Sequence, residues 1–216
     1  MGPTAIPRSY CGLHEEEGPA WRASASYAWL RSTLRFTGDV EADFWQQTAT
    51  AAMTRRLGDA FTIQAGAGVL IGGSLEAAGA TYRIEPGWIV QAGATWMALD
   101  GRKGGPFLAV SATLAASGAH TTSAGIPAAT LTAVDLGLSG SLGMAFFGWL
   151  APYVGVKVFG GPVFWTLAGA DVTGTDVHHY QVALGAAVVL PGGFDLLVEG
   201  APLGEQSVTA SLGFAF

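Results

Sequence analysis

Charged residues are scarce in this chain. Of its 216 residues only 12% are charged, 50% are hydrophobic, and the mean hydropathy is +0.39. A typical water-soluble domain carries about 25% charged residues. A large part of this surface must therefore contact something other than water. The ten Lys and Arg residues are scattered and the net charge is -6. This excludes a nucleic-acid partner, which needs a clustered basic surface.

Cysteine is almost absent, and no leader is visible. Cys11 is the only cysteine, which excludes an internal disulfide framework. It follows Arg8, Ser9 and Tyr10, whereas a lipid-modified cysteine follows an apolar run and a small residue. Residues 1–19 contain Glu15 to Glu17 and no apolar h-region. We therefore expect a mature or trimmed form, or a start placed downstream of the true one.

A long uncharged run is present at Leu136 to Val156, and its length would suit a membrane-crossing helix. Its side chains, however, have a period of two, which is the period of a strand. A helix would mix the apolar and small residues on every face. Pro152 and the region Phe147 to Trp149 break the run where a tight turn would fall. The sequence therefore predicts a hairpin here. The alternating apolar members are Val134, Leu136, Leu138, Leu142, Met144 and Phe146.

The same alternation recurs along the chain, with one face apolar or aromatic and the other small or polar. This pattern predicts an all-β fold, a transmembrane antiparallel up-and-down β-barrel of about ten strands, with eight or twelve as alternatives. A soluble ligand-carrying barrel would reverse the two faces. We expect residues 20–216 to form the barrel. We expect residues 1–19 to be a disordered periplasmic segment.

Connection lengths alternate between short and long. Short turns are predicted at one end and longer loops at the other, which is the asymmetry of barrels with periplasmic turns and extracellular loops. Both termini are then periplasmic. The short turns are Arg56 to Asp59, Asp100 to Gly105, Phe147 to Ala151 and Pro191 to Gly193, and the loops are Gly72 to Pro86, Ser117 to Thr130 and Thr166 to Val177.

Tryptophans occur in two pairs of equal spacing. Trp21 and Trp29 are eight positions apart, as are Trp88 and Trp96. At ~3.3 Å per residue and a tilt near 40°, each pair spans roughly 20 Å, close to the separation of two aromatic girdles. The alternative is a pair of core tryptophans in a soluble sandwich. We expect these four residues, with Phe214 and Phe216, to lie at the lipid interfaces.

The last strand carries the most specific signal. Val208, Ala210, Leu212, Phe214 and Phe216 alternate with small or polar residues, and the sequence ends at the phenylalanine. This resembles the C-terminal insertion signal of Gram-negative outer-membrane proteins. The resemblance covers roughly ten residues directly and the barrel pattern covers the rest from Ala20 onward. It implies recognition by the barrel-assembly machinery and location in the outer membrane, with the lipid bilayer as partner, but no particular activity.

The polar face predicts the lining of the lumen. About ten strands lined by small side chains should leave a narrow bore. Asp135 and Lys157 lie on adjacent strands and could pair across it, either as a structural ion pair that plugs the bore or as a selectivity element. The charged and amide-bearing lining residues are Arg22, Gln64, Gln91, Asp135, Lys157, Gln181, Asp195 and Glu199.

Acidic and histidine residues cluster in the predicted loops. Their residue types resemble those of the omptin outer-membrane proteases, which also have ten strands and an Asp/His site that activates water. No omptin motif is reproduced, and adjacent His178 and His179 point to opposite faces of a strand. We therefore predict no catalytic residue, no metal site and no cofactor. The residues concerned are Asp39, Glu41, Asp43, His120, Asp171, Asp176, His178 and His179.

Three functions remain open at this point. The first is a narrow porin-like channel for small solutes. The second is a non-transporting barrel that binds a ligand, such as a small solute or lipid, or a partner through its extracellular loops. The third is a barrel enzyme, omptin-like or lipid-modifying. The sequence does not establish that the chain is an enzyme, and we expect that it is not one.

Overall fold

Antiparallel strands make up nearly all of the chain. The computed structural model describes residues 20–101, 105–123, 126–167 and 170–216, and the expectations for residues 1–19 lie outside these ranges. The described residues form thirteen strands and one short 3-10 turn at Pro191–Gly193. The strands are β1 Trp21–Phe36, β2 Val40–Leu57, β3 Phe61–Ala77, β4 Ala80–Ile84, β5 Gly87–Asp100, β6 Pro106–Ser123, β7 Ile126–Met144, β8 Leu150–Gly160, β9 Val163–Leu167, β10 Ala170–Asp176, β11 Tyr180–Val189, β12 Phe194–Gly204 and β13 Gln206–Ala215.

At the end that holds Trp21 and Phe216, which we call the terminus end, ten strands form a closed ring. Their order is β1, β2, β3, β5, β6, β7, β8, β11, β12 and β13, and β13 returns to pair with β1 from Arg22–Ala215 to Arg31–Gln206. The predicted transmembrane antiparallel barrel of about ten strands is confirmed.

At the opposite end the ring has only eight strands. The β12–β13 hairpin turns at Gly204 and Glu205, part-way up the wall. Beyond it, β10 pairs directly with β1 through Leu34–Asp176 and Phe36–Gly174. The eight strands are β1, β2, β3, β4, β6, β7, β9 and β10. The barrel therefore narrows as it rises. We call the ten-stranded part the membrane section and the eight-stranded part the head.

The two parts have opposite facing patterns. In the lower part of β1, Tyr27 points outward and Arg22 inward, whereas in the upper part Arg35 points outward and Phe36 inward. β7 repeats this change, with Leu138 outward in the membrane section and Thr130 outward in the head. Apolar residues thus face the bilayer in one part and the interior in the other. The head is built as a soluble barrel that continues a transmembrane one.

The apolar outer band has the height of a bilayer. On β7 it runs from Val134 to Met144, which at ~3.3 Å per residue and a tilt near 40° is about 25 Å. Among the described residues, no helix is long and apolar enough to cross a membrane.

The prediction of long loops is wrong, whereas the predicted short turns lie together at the terminus end, as expected. The described parts of 72–86, 117–130 and 166–177 are mainly strands that form the head. β3 and β4 are joined by a two-residue turn, in which Ala78 and Gly79 both have positive φ, as a tight hairpin requires. These segments were not predicted to be strands because their apolar residues face inward. In the membrane section the apolar residues face outward.

A lysine placed on the outer face of β7 will distinguish the two parts. Leu138 is 53% exposed in the lipid-facing band, so Leu138→Lys should lower the free energy of unfolding by about 2–4 kcal/mol. Thr130→Lys, on the same face within the head, should change it by less than about 0.5 kcal/mol. Urea unfolding in phospholipid vesicles, followed by tryptophan fluorescence, measures both. Equal losses at the two positions would contradict the assigned membrane boundary.

Candidate functional site

A buried ion pair lies on the inner wall of the membrane section. Arg22 of β1 donates its Nε–H to Oδ2 of Asp195 on β12 over 2.9 Å, and each side chain is only 6% exposed. Arg22 fits because Gly213 on the neighbouring strand has no side chain: a Cβ there would overlap the guanidinium. The pair is held by two hydrogen bonds, so both charges are satisfied where they are buried.

Further polar side chains pair with one another rather than facing an open channel. Tyr153 donates to Glu199 over 2.7 Å, and Gln181 donates to Ser207 over 2.8 Å. The hydroxyl groups of Thr95 and Ser111 lie 2.8 Å apart. Glu199 and Gln181 are buried, while Gln64 and Gln91 are half-buried on the same inward face. The polar residues predicted to line the lumen therefore lie inside the barrel, but many of them form hydrogen bonds with other side chains of the protein.

An apolar layer packs in the interior near the terminus end. Phe107 and Leu197 are almost completely buried, with 0% and 1% exposure. They pack in one cluster with Met97, Ala109, Ala151, Tyr153 and Ala187. The alternating pattern does not predict this layer, because the inward-facing Phe107 and Leu197 are flanked by the outward-facing Leu108 and Leu196. Runs of consecutive apolar residues were the signal that could have located this layer.

A second and larger apolar layer fills the head. Trp165 of β9 is at its centre, 2% exposed, with Phe36 at 5.4 Å and Tyr82 at 4.8 Å between ring centroids. Trp165 donates its indole N–H to the Thr121 hydroxyl over 3.0 Å, which satisfies its polar group. Its buried neighbours are Leu34, Ala42, Leu70, Leu75, Ala77, Ile84, Ala119, Ala129 and Val163. The head is thus packed like a protein core.

Between the two layers lies a cavity of about 80 Å³. Most of its wall is apolar, but the carboxyl groups of Asp135, Asp176 and Glu205 also line it. Asp176 accepts a hydrogen bond from Ser32 over 2.8 Å. Lys157 approaches Asp135 with Nζ 3.9 Å from Oδ2, so the predicted Asp135–Lys157 proximity is present. We call this space the central cavity.

The central cavity is located where the barrel changes from ten strands to eight. Glu205 is the tip of the short β12–β13 hairpin, and its backbone N–H binds the carbonyl of Tyr180 over 3.1 Å. β4 and β5 are separated at Glu85–Pro86 and β8 and β9 at Gly161–Pro162, each across a proline that cannot donate to the ladder. These interruptions allow the wall to bend inward. Glu205 is not among the predicted site residues, because the direction in which a lone Glu in a hairpin points cannot be read from an alternating pattern.

The predicted interface aromatics are on the outer surface. Trp88 and Trp96 are 50% and 53% exposed, and Trp21 is 41% exposed beneath the guanidinium of Arg55, 5.2 Å from its ring. Trp29 is half-buried on the same outward face. Phe214 contacts both Phe194 and Phe216. These positions are consistent with the predicted interface role, which stays a prediction.

The acidic and histidine residues do not converge on one point. Asp39, Glu41, Asp43 and Asp171 are exposed on the head, and Glu41 is paired with Arg35 at 2.7 Å. Asp176 points inward, whereas His178 and His179 are exposed on the outside of the wall at the break between β10 and β11. His120 is exposed on β6. Within the described ranges, no group of three or more His, Cys, Asp or Glu residues is arranged to hold a metal ion.

Comparison with solved structures identifies the architecture. The outer membrane protease OmpT from Escherichia coli matches with a TM-score of 0.63 and 11% identity, over 94% of this chain and 100% of that chain. The translocator domain of the autotransporter NalP from Neisseria meningitidis matches at 0.57 and 15%, over 94% and 90%. The chain has the fold of Gram-negative outer-membrane β-barrels. An outer membrane channel from Pseudomonas putida F1 also matches, at 0.50 and 9%, over 98% and 100%.

The general resemblance inferred from the C-terminal strand is therefore confirmed, with the outer-membrane fold that it implied. No protein-family model matches the chain, and no curated protein matches it. The similar structures include a protease, a translocator domain and a channel, so the shared fold does not select an activity.

Breaking the Arg22–Asp195 pair should be costly. Arg22→Met leaves Asp195 buried without its partner and should lower the free energy of unfolding by about 3–5 kcal/mol. The double variant Arg22→Met/Asp195→Leu removes both charges and should recover most of that loss. Urea unfolding midpoints in detergent micelles measure the difference. A double variant as unstable as the single one would contradict the view that an unpaired buried charge causes the loss.

Proposed function

We propose that this chain is a closed, non-transporting barrel of the bacterial outer membrane, which acts by binding and not by conducting solutes. One observation carries the proposal: packed apolar layers lie in the interior on both sides of the central cavity. The head layer surrounds Trp165, and the layer near the terminus end surrounds Phe107 and Leu197. A permanently open pore needs a continuous water path, which these side chains occupy.

The polar side chains of the membrane section support the same proposal. Arg22 on β1 and Asp195 on β12 form a bidentate ion pair over Gly213 of the intervening strand β13, an arrangement that fixes strands β1 and β12 relative to each other. Tyr153 and Glu199 form another bridge between β8 and β12. Groups that select ions must exchange partners with passing ions, whereas these groups are already paired inside the protein.

A narrow channel is the second candidate. It is favoured by the polar residues of the membrane section, among them Ser26 and Ser211, whose hydroxyls are 2.9 Å apart on the inner wall. Under this candidate the two apolar layers would be gates. An Asp135→Asn/Lys157→Met double variant would then change ion selectivity, because both side chains face the interior.

Conductance in planar bilayers separates the two candidates. The unaltered protein should show no steady current at either sign of voltage. Removing both layers with Trp165→Ala, Phe107→Ala and Leu197→Ala should produce current steps. The matched control changes the outward-facing neighbours of the same strands, Phe164→Ala, Leu108→Ala and Leu196→Ala, and should stay silent. Heat-modifiable migration in gels verifies that each variant is folded.

Steady conductance of the unaltered protein would overturn the proposal in favour of a channel. In that case the Asp135/Lys157 double variant measures whether those two residues set its selectivity.

A further inference from the structure

The carboxyl group of Glu205 is buried without a hydrogen-bonding partner on one oxygen. The residue is 1% exposed, it lines the central cavity, and its Oε2 accepts no hydrogen bond from the described residues. Oδ1 of Asp135, on β7, is also buried without a donor among the described residues. A buried carboxylate oxygen normally accepts one or more hydrogen bonds, because leaving it unmet costs free energy.

Negative charge exceeds positive charge around this cavity. Asp135, Asp176 and Glu205 line it and lie within electrostatic range of one another. Lys157 is a cation on the inner wall that approaches Asp135. His179 also acts on Asp176, but from the exposed outer side of the wall. Among the residues that the structure describes, one ammonium group therefore faces three carboxyl groups in a largely apolar space, where charge is weakly screened.

The composition of the wall restricts the kind of cation. Apolar side chains supply most of it, among them Leu30, Leu34, Leu70, Ile89, Leu131 and Val163. Such a surface favours a ligand with an apolar portion over a hydrated ion. The acidic residues also lack the arrangement that chelates a metal ion, among the residues the structure describes. A volume of about 80 Å³ is several times the roughly 10–15 Å³ that one water molecule needs.

We propose that the central cavity is a binding site for a small organic cation, a primary ammonium group that carries a short apolar chain. The ammonium group donates hydrogen bonds to Oε2 of Glu205 and to Asp176, and the chain packs against the leucine side chains. Three N–H donors suit carboxylate oxygens that converge from different strands. This inference rests on the proposed closed interior, since an open pore would hydrate the carboxylates.

Binding can be tested with n-butylammonium as the probe. The full chain is refolded from urea into detergent with increasing probe, so that occupancy does not depend on a route through the apolar layers. Its thermal unfolding is then followed by circular dichroism. We expect a saturable rise in Tm with n-butylammonium, and no saturable rise with 1-butanol or with sodium ions. Glu205→Gln should weaken the apparent affinity at least tenfold, and Asp176→Asn should do the same.

Glu76→Gln is the matched control, because this glutamate is exposed on the outer face of the head. It should leave the Tm rise unchanged. If Glu205→Gln does not give a heat-modifiable barrel, Asp176→Asn decides. Absence of a saturable rise in the unaltered protein would overturn the inference, as would an equal rise with 1-butanol or an undiminished rise in the folded cavity variants.

The conductance of the same preparations separates this inference from the proposed function. A silent barrel that does not respond to n-butylammonium overturns the ligand assignment alone. A conducting barrel overturns the closed interior and the ligand assignment with it.

Discussion

Every backbone polar group of a membrane-crossing strand must be paired within the protein, and the rest of this structure follows from extending that ladder beyond the bilayer. The strands do not stop at the membrane surface. β1 continues from Arg22 in the membrane section to Phe36 in the head, and its hydrogen bonds to β2 are continuous along that length. The surrounding solvent changes along the same strand, so the face that must be apolar changes too.

That reversal explains why the interior is filled. In the membrane section, lipid satisfies the outer face, and small or polar residues remain for the inside. In the head, water satisfies the outer face, and apolar residues such as Trp165 and Leu75 are directed inward. Eight strands leave only enough interior space for side chains. The carboxyl groups of the central cavity therefore lie at the boundary, where polar lining gives way to an apolar core.

The sequence predicted those parts of the barrel in which apolar residues face outward toward lipid. Leu136, Leu138 and Ser139 follow the membrane alternation, and their facing was predictable because one solvent governs the whole segment. In the head, apolar residues such as Leu34 and Leu75 face inward instead. Most of the head, residues 72–86, 117–130 and 166–177, was therefore predicted to be loops. Glu205 and Asp176 could not be placed, because their facing depends on where β12–β13 turns relative to β10. That stagger is a property of distant pairings, which a local pattern does not contain.

Because the β12–β13 hairpin is short, the barrel has two seams, that is, two strand pairings at which β1 closes the ring. The head is sealed where β1 meets β10, and the membrane section where β1 meets β13. The first seam requires only the chain up to Asp176, whereas the second requires the final strand. β1 takes part in both, with Leu34–Phe36 in one and Arg22–Arg31 in the other. The register of this single strand therefore fixes the stagger of two rings of different circumference, so a slip of one residue in β1 would misalign both at once.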